Sequence, residues 1–86
     1  MKCAIISPEE RDDFQGITSI YLITTGGERE ILKGHIALIT TLREGASIRL
    51  TMPNRIERVT TAAGSFFRFS HDNAEVTTAH YSIESE

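Results

Sequence analysis

Turn-forming residues interrupt this chain at short and regular intervals, and this spacing limits what the chain can fold into. They recur about every eight to twelve positions, at Gly26-Gly27, Gly34, Gly45, Pro53-Asn54 and 71–73. No segment between them sustains an apolar repeat of about 3.6 residues, the period of a packed helix. Short segments joined by turns are typical of an all-β sandwich or barrel.

The stretch 48–52 alternates apolar and polar side chains, as a half-buried strand does. Ile48, Leu50 and Met52 occupy every second position and are predicted to face the core. Pro53-Asn54 follows with turn chemistry, because Pro fixes one φ angle and Asn tolerates a left-handed conformation. The stretch 55–61 then predicts a returning strand and completes a hairpin.

The aromatic stretch 66–69 predicts another strand. Phe67 and Phe69 share one face, whereas Phe66 and Arg68 lie on the other. Further strands are predicted over 2–6, 18–25 and 74–79, where apolar, β-branched or aromatic residues concentrate. The stretch 7–14 is too short and too polar for more than a turn, and the polar residues 82–86 are expected to fray.

The chain is short enough that residues 1–86 are predicted to form one domain. No apolar run is long enough to span a bilayer as a helix, and no basic-then-apolar leader opens the sequence. The single cysteine, Cys3, lies in an apolar segment and is predicted to be a buried, inert thiol. Three histidines in different segments do not form a metal-ligand pattern: His35, His71 and His80.

Charge is distributed unevenly along the chain. The net charge of −3 argues against a nucleic-acid-binding protein. Within it, the stretch 46–70 has a net charge of +3 and the stretch 71–86 a net charge of −4. Two interpretations of the basic stretch stay open: a set of solvated strand faces, or one face suited to an acidic protein partner.

Known catalytic motifs have no match in the sequence. The stretch 63–67 does not supply the Gly-x-Ser-x-Gly turn of a nucleophile elbow, and Lys33-Gly34 does not complete a phosphate-binding loop. The acidic run 9–13 lacks the alternating oxygen ligands of a calcium loop and is expected to be a solvated loop. The sequence therefore predicts no enzyme, no cofactor and no metal.

The stretch 31–45 carries a more specific signal. It reads Ile-Leu-Lys-Gly-His-Ile-Ala-Leu-Ile-Thr-Thr-Leu-Arg-Glu-Gly and resembles the signature of the epsilon subunit of F-type ATP synthase. Flanking elements agree in order: Ser7-Pro8-Glu9 with Phe14-Gln15-Gly16, Gly26-Gly27-Glu28, 63–67 and 73–76. The family usually has Pro where this chain has Lys33, Ala37 and Glu44. Losing a proline increases the conformational entropy of the unfolded chain, which lowers the free energy of unfolding by about 1 kcal/mol at each compatible site.

The resemblance implies a flattened β-sandwich of about ten short strands and a place in the central stalk of the synthase. It implies two partners, the gamma subunit and the membrane-embedded c-ring, between which this subunit couples rotation to ATP synthesis driven by an ion gradient. Carried over by position, the gamma interface would contain Ser7, Leu38 and Thr40. The ring-facing end would contain Gly27, Glu28, Arg29, Gly34 and His35.

The family normally continues into an inhibitory helical hairpin. No such segment follows the sandwich in this sequence. We therefore expect a non-catalytic coupling subunit without hairpin-based inhibition. It would lie peripherally on the cytoplasmic face of the membrane, without inserting into it, and could form a homodimer when isolated. Two other classes stay open. One is a β-sandwich that binds carbohydrates or small ligands, and the other is a homo-oligomeric scaffold domain that uses exposed sheet edges.

Overall fold

Ten short strands, with no helix among the described residues, build the fold. The structure is a computed structural model that describes residues 1–45 and 47–86. In chain order the strands are β1 (Lys2–Ile6), β2 (Arg11–Phe14), β3 (Ser19–Thr24), β4 (Gly27–Leu32), β5 (Leu38–Thr41), β6 (Ser47–Met52), β7 (Arg55–Thr61), β8 (Phe66–Ser70), β9 (Asn73–Thr77) and β10 (Tyr81–Ser85). The predicted all-β sandwich is confirmed.

The strands form two five-stranded sheets. The first sheet has the order β2-β1-β9-β8-β5, and the second has the order β10-β7-β6-β3-β4. Neighbouring strands are antiparallel except β1 and β9, which run parallel. The edges are therefore β2 and β5 in the first sheet, and β10 and β4 in the second.

The core lies between the sheets and is built by the alternation visible in the sequence. Phe67 and Phe69 of β8 share one face, as predicted, and the structure shows that this face points inward and is buried, while Phe66 and Arg68 are exposed. In β6 the inward positions are likewise the predicted ones. Each fully buried large apolar side chain contributes about 1.5–3 kcal/mol relative to an exposed one. The largest are Phe67, Phe69, Ile5, Ile20, Leu22, Ile31, Ile48, Leu50, Val59 and Val76.

Two polar segments form strands that the side-chain pattern does not predict. The stretch 7–14 contains β2, which pairs with β1 through its backbone. The end of the chain does not fray, because β10 pairs with β7 along its whole length. There the Ser85 hydroxyl donates to the buried carboxylate of Glu57, 2.7 Å away. Backbone pairing at a sheet edge is compatible with polar side chains, which is why polarity alone misleads here.

The β8–β9 turn marks one end of the sandwich. His71 and Asp72 both have positive φ angles, 51° and 60°, as a two-residue hairpin turn of type I′ requires. The Asp72 carboxylate accepts the Gly34 N–H at 3.3 Å, so the β4–β5 loop lies at this end too. We call it the His71 end.

The opposite end carries the β3–β4 turn. The Thr25 N–H donates to the Thr41 carbonyl at the end of β5, 3.2 Å away. One residue after the end of β5, the Leu42 N–H donates to the carbonyl of Ser65 in the β7–β8 loop, at 2.9 Å. We call this the Gly26 end.

Candidate functional site

The β3–β4 turn presents three of the residues expected to face the ring. Gly27 has a φ of 117°, which favours glycine. The Thr24 hydroxyl closes the turn by accepting the Gly26 N–H at 3.1 Å and donating to the Gly27 carbonyl at 2.8 Å. Glu28 and Arg29 follow with exposed side chains. These hydrogen bonds hold the turn at the Gly26 end, and the Glu28 carboxylate and the Arg29 guanidinium are exposed next to it.

Glu28 also affects a neighbour on β3. Its carboxylate lies beside the Tyr21 hydroxyl, favours the protonated phenol and raises the pKa of Tyr21. In the pairing of β3 with β4, Glu28 lies opposite Ile23, on the outer face of the second sheet. Glu28 is therefore available to a partner from that face and from the turn.

Gly34 and His35 lie at the His71 end. The His35 N–H donates to the Leu32 carbonyl at 3.0 Å, and the ring packs edge-on against Phe69 with a centroid distance of 6.1 Å. Because Gly27 begins β4 and Gly34 follows its end, the structure does not bring the five predicted ring-facing residues to one end of the sandwich. Four residue steps along β4, from Glu28 to Leu32, span about 13 Å. The edge strand β4 connects the two groups.

The residues expected at the gamma interface are also spread out. Ser7 lies just after β1 at the Gly26 end, where its hydroxyl accepts the Glu10 N–H at 3.1 Å. Leu38 and Thr40 lie on β5 opposite Phe69 and Phe67, so they share the inward face of that strand and are half-buried. The outward residue between them is Ile39.

Two exposed apolar side chains on the first sheet were not assigned to an interface by the sequence. Ile39 is 74% exposed and Phe66 is 53% exposed. Ile39 lies opposite Arg68 and Phe66 opposite Thr41, so the two are diagonal neighbours on β5 and β8. The consecutive Phe66-Phe67 pair indicates that one of the two rings is exposed, because two adjacent strand residues cannot both face the core.

A shallow apolar cleft adjoins Phe66 at the Gly26 end. Its volume is about 470 Å³. Apolar lining residues come from the end of β1, from the β7–β8 loop and from the segment before β10, and Ser7 lies among them. We call Ile39, Phe66 and this cleft the apolar face; the cleft is lined by Ile6, Ser7, Pro8, Ala63, Gly64, Phe66, Thr77, Thr78 and Ala79.

Buried hydroxyls fix the loop beside the cleft. The Ser65 hydroxyl donates to the Thr78 hydroxyl at 2.7 Å, and the Thr78 hydroxyl donates to the His80 carbonyl at 2.9 Å. The Ala62 N–H also donates to Thr78, at 3.1 Å. Because these hydrogen bonds connect the β7–β8 loop to the segment before β10, the loop forms a rigid wall of the cleft.

The described part of the chain contains no cluster of metal-ligating side chains, and its cysteine is buried. No group of three or more His, Cys, Asp or Glu side chains converges among residues 1–45 and 47–86, and no helix there is long and apolar enough to cross a membrane. Cys3 is buried, as predicted, and this burial raises its pKa to about 12, with Asp13 adding to the effect. Its thiol is therefore protonated at neutral pH.

Comparison with known proteins assigns the family. The family model for the ATP synthase delta/epsilon chain beta-sandwich domain matches residues 1–82. A chain in a cryo-EM structure of the Euglena gracilis mitochondrial ATP synthase (OSCP/F1/c-ring, rotational state 1) has a similar fold. Its TM-score is 0.81 at 17% sequence identity, over 94% of this chain and 51% of that chain. The protein thus spans about half the length of that relative, and no curated protein matches it significantly. The chain belongs to the family of ATP synthase delta/epsilon chain beta-sandwich domains.

Proposed function

We propose that this domain is a non-catalytic subunit of the central stalk of a rotary F-type ATP synthase, coupling rotation of the c-ring to the gamma subunit and the catalytic head. Family membership supports this role. The single structural observation that carries it is the apolar face. Ile39 and Phe66 remain exposed on a sheet whose other outward positions are mostly polar. A contiguous exposed apolar patch on a small domain marks an interaction surface.

The gamma subunit is the proposed occupant of the apolar face. Ser7 lines the cleft, and Thr40 is next to Ile39, so two of the three residues expected at this interface border the face. Leu38 lies on the same edge strand, two positions from Thr40. Since β5 is an edge strand, gamma can contact it from the side and from the outer face together.

The c-ring is the proposed partner of the β4 edge. Gly27, Glu28 and Arg29 begin this strand, and Gly34 and His35 follow its end. A contact confined to one turn cannot include all five, whereas an approach along β4 can. Charged pairs between Glu28 or Arg29 and the polar loops of a ring contribute orientation and specificity more than affinity.

Transmission of torque is proposed to depend on the packing between the two sheets. The proposed gamma contact is on the sheet that contains β5 and β8, and the proposed ring contact is on the sheet that contains β4. Force must therefore cross a core that contains the fully buried Phe67, Phe69, Leu22 and Leu50. Close-packed interiors deform little, so the sandwich transmits displacement as a rigid body. The subunit would lie peripherally on the cytoplasmic face of the membrane, with residues 1–86 as one domain.

Binding of the purified chain to its cognate gamma subunit tests the gamma contact. We expect Phe66→Ala to weaken binding by about tenfold or more, as loss of a central aromatic contact does. Leu32→Ala is the matched control, because Leu32 is 51% exposed but lies on β4 of the second sheet. Isothermal titration calorimetry would measure both. Unchanged affinity in Phe66→Ala, or equal losses in the two variants, would contradict the assignment.

Proton-driven ATP synthesis by the reconstituted complex tests the ring contact. We expect Glu28→Lys to lower the rate of synthesis, because it reverses the charge that Glu28 presents at the proposed ring surface. Glu84→Lys is the control, since Glu84 is exposed on β10, the opposite edge strand of the same sheet. Equal rates for Glu28→Lys and the unmodified subunit would remove Glu28 from the interface.

In the absence of gamma, the apolar face is proposed to pair with a second copy of the chain. A face that contributes apolar contact to one partner can do the same for another copy. Native mass spectrometry of the isolated chain would measure this directly. Phe66→Ala should shift the population towards monomer, and addition of gamma should replace the homodimer by a heterodimer.

A further inference from the structure

The outer face of the second sheet carries two arginines side by side. Arg49 of β6 lies directly opposite Arg58 of β7, and Tyr21 of β3 lies opposite Arg49 on its other side. Glu30 of β4 and Glu84 of β10 complete this cross-strand row. Like charges directly opposite each other on neighbouring strands are destabilising, so this pair opposes folding unless an anion compensates it.

The two arginines are held differently. The Arg49 guanidinium lies over the Tyr21 ring, 4.9 Å from its centroid. Arg58 Nη2 forms an ion pair with Glu86 Oε2 at 3.1 Å. A guanidinium stacked on an aromatic ring is pre-oriented, and its planar donors remain available for a carboxylate.

Arg49 stands apart from the other arginines of the basic stretch 46–70. Arg55 forms an ion pair with Glu57 at 3.6 Å, and Arg68 forms one with Glu75 at 2.7 Å. Within the described residues, Arg49 has no carboxylate oxygen within 4.0 Å. It is also exposed. The unmatched positive charge of this stretch is therefore concentrated at one position of one sheet.

A shallow depression adjoins the arginine pair. It has a volume of about 280 Å³ and is lined by Tyr21, Ile23, Gly45, Ser47, Arg49 and Arg58. The Ser47 hydroxyl lies 3.3 Å from the Thr60 hydroxyl in the adjacent cross-strand row. Two guanidinium groups and a hydroxyl thus converge on a space large enough for one or two carboxylate side chains.

We propose that this depression, the Arg49–Arg58 site, binds an acidic segment of a protein partner, with one carboxylate on Arg49 and a second replacing Glu86 on Arg58. Arg58 already accommodates a carboxylate from its own chain. The flanking Glu30 and Glu84 disfavour an extended polyanion such as a nucleic acid, because they would lie against its continuous negative charge. A short segment with two acidic side chains fits between them.

The proposed site is separate from the apolar face, which lies on the first sheet, and does not depend on the role of the domain in the central stalk. It favours the second interpretation of the basic stretch, one face suited to an acidic partner. Arg55, Arg58 and Arg68 form ion pairs within the chain, whereas Arg49 does not, and Arg49 with the adjacent Arg58 forms the proposed surface for an acidic partner.

Titration of the isotopically labelled full chain with an acetylated tetraglutamate peptide tests the proposal by nuclear magnetic resonance. We expect the amide shifts that change to cluster at Tyr21, Arg49 and Arg58. Arg49→Ala should weaken binding by about tenfold. Arg49→Lys should also weaken it, because an ammonium group cannot form the bidentate contact. Arg68→Ala is the matched control, since Arg68 is exposed on the other sheet, and it should leave affinity unchanged.

The competing carboxylate provides a second measurement on the same site. Glu86→Gln removes the charge that occupies Arg58, so we expect the peptide to bind about two- to fivefold more tightly. Equal loss of binding in Arg49→Ala and Arg68→Ala would overturn the proposal, because it would indicate general charge attraction. Stronger binding of inorganic phosphate than of the peptide would also overturn it, in favour of a small-anion site. Thermal unfolding of each variant verifies that it is folded.

Discussion

The two sheets have equivalent inner faces and different outer faces. Inward, both present alternating apolar side chains, such as Phe67 in the first sheet and Leu50 in the second. Outward, the first exposes Ile39 and Phe66, whereas the second places Arg49 beside Arg58. Packing against the opposite sheet determines the inner residues. The outer residues have no such constraint, so the contrast between them reports on what each face contacts.

The largest effect is expected where inner and outer positions are adjacent, at Phe67 and Phe66. Phe67→Ala removes a fully buried ring and should lower the free energy of unfolding by about 3–5 kcal/mol. Phe66→Ala should change it by less than about 1 kcal/mol, because Phe66 is 53% exposed. Urea unfolding monitored by circular dichroism would measure both.

The two variants should affect different properties: Phe67→Ala should lower stability, whereas Phe66→Ala should lower gamma binding. Phe66→Ala is expected to retain the fold and lose gamma affinity, as described above. A large loss of stability in Phe66→Ala would show that Phe66 supports the sheet itself, and the contrast between the inner and outer faces would then fail at β8.

The next effect is expected at a buried acidic residue of the second sheet. Glu57 is 4% exposed and accepts from the Ser85 hydroxyl at 2.7 and 2.8 Å, which fastens β10 to β7. Glu57→Ala should lower the free energy of unfolding by about 2 kcal/mol, because hydrogen bonds to charged groups contribute more than neutral ones. Amide hydrogen exchange should show increased opening of β10. Ser85→Ala should reproduce the exchange effect with a smaller loss of stability.

The alternation in the sequence predicted the inner faces but not the edges. Spacing alone places Phe67 and Phe69 on one face of a strand, and the structure shows that this face is the inner one. The strands β2 and β10 were missed because their stability comes from backbone pairing and from contacts such as Ser85 with Glu57, which join residues far apart in the chain.

The outer surfaces were predictable only in part. The basic charge of 46–70 was visible in the sequence, but which arginine lacks a partner depends on the register between β6 and β7. Likewise, the resemblance placed Leu38 and Thr40 at an interface, whereas only the pairing of β5 with β8 shows that Ile39 is the exposed residue between them. Sequence spacing assigns residues to faces, and register decides which of them are neighbours.

A smaller effect is expected where the edges of the two sheets meet. The Tyr81 hydroxyl on β10 donates to Asp12 Oδ2 on β2 at 2.7 Å. Desolvation and this hydrogen bond raise the pKa of Tyr81 to about 12, above the value of about 10 in an unfolded chain. The resulting stabilisation is complete below about pH 10 and is lost as the pH rises towards 12. After screening by solvent it amounts to about 1 kcal/mol.

Urea unfolding between pH 8 and 12 would measure this loss. Tyr81→Phe should have a lower free energy of unfolding at pH 8 and a shallower decline in the alkaline range, because it removes the group that titrates. An identical alkaline decline in Tyr81→Phe would assign the effect to other groups, of which Cys3 is the first candidate because its pKa is also about 12.

The smallest effect is expected for the exposed ion pair on the first sheet. Arg68 Nη2 lies 2.7 Å from Glu75 Oε1, and both side chains are largely accessible. Arg68→Ala should lower the free energy of unfolding by only about 0.5 kcal/mol, since exposed pairs are screened by water and salt. The short distance is therefore a poor guide to stability, and urea unfolding would measure the small change directly. Because Arg68 lies opposite Ile39, the variant should affect gamma binding more than folding. A loss of stability comparable to that of Glu57→Ala would contradict this, since it would mean that the outer face of the first sheet stabilises the fold in the way its inner face does.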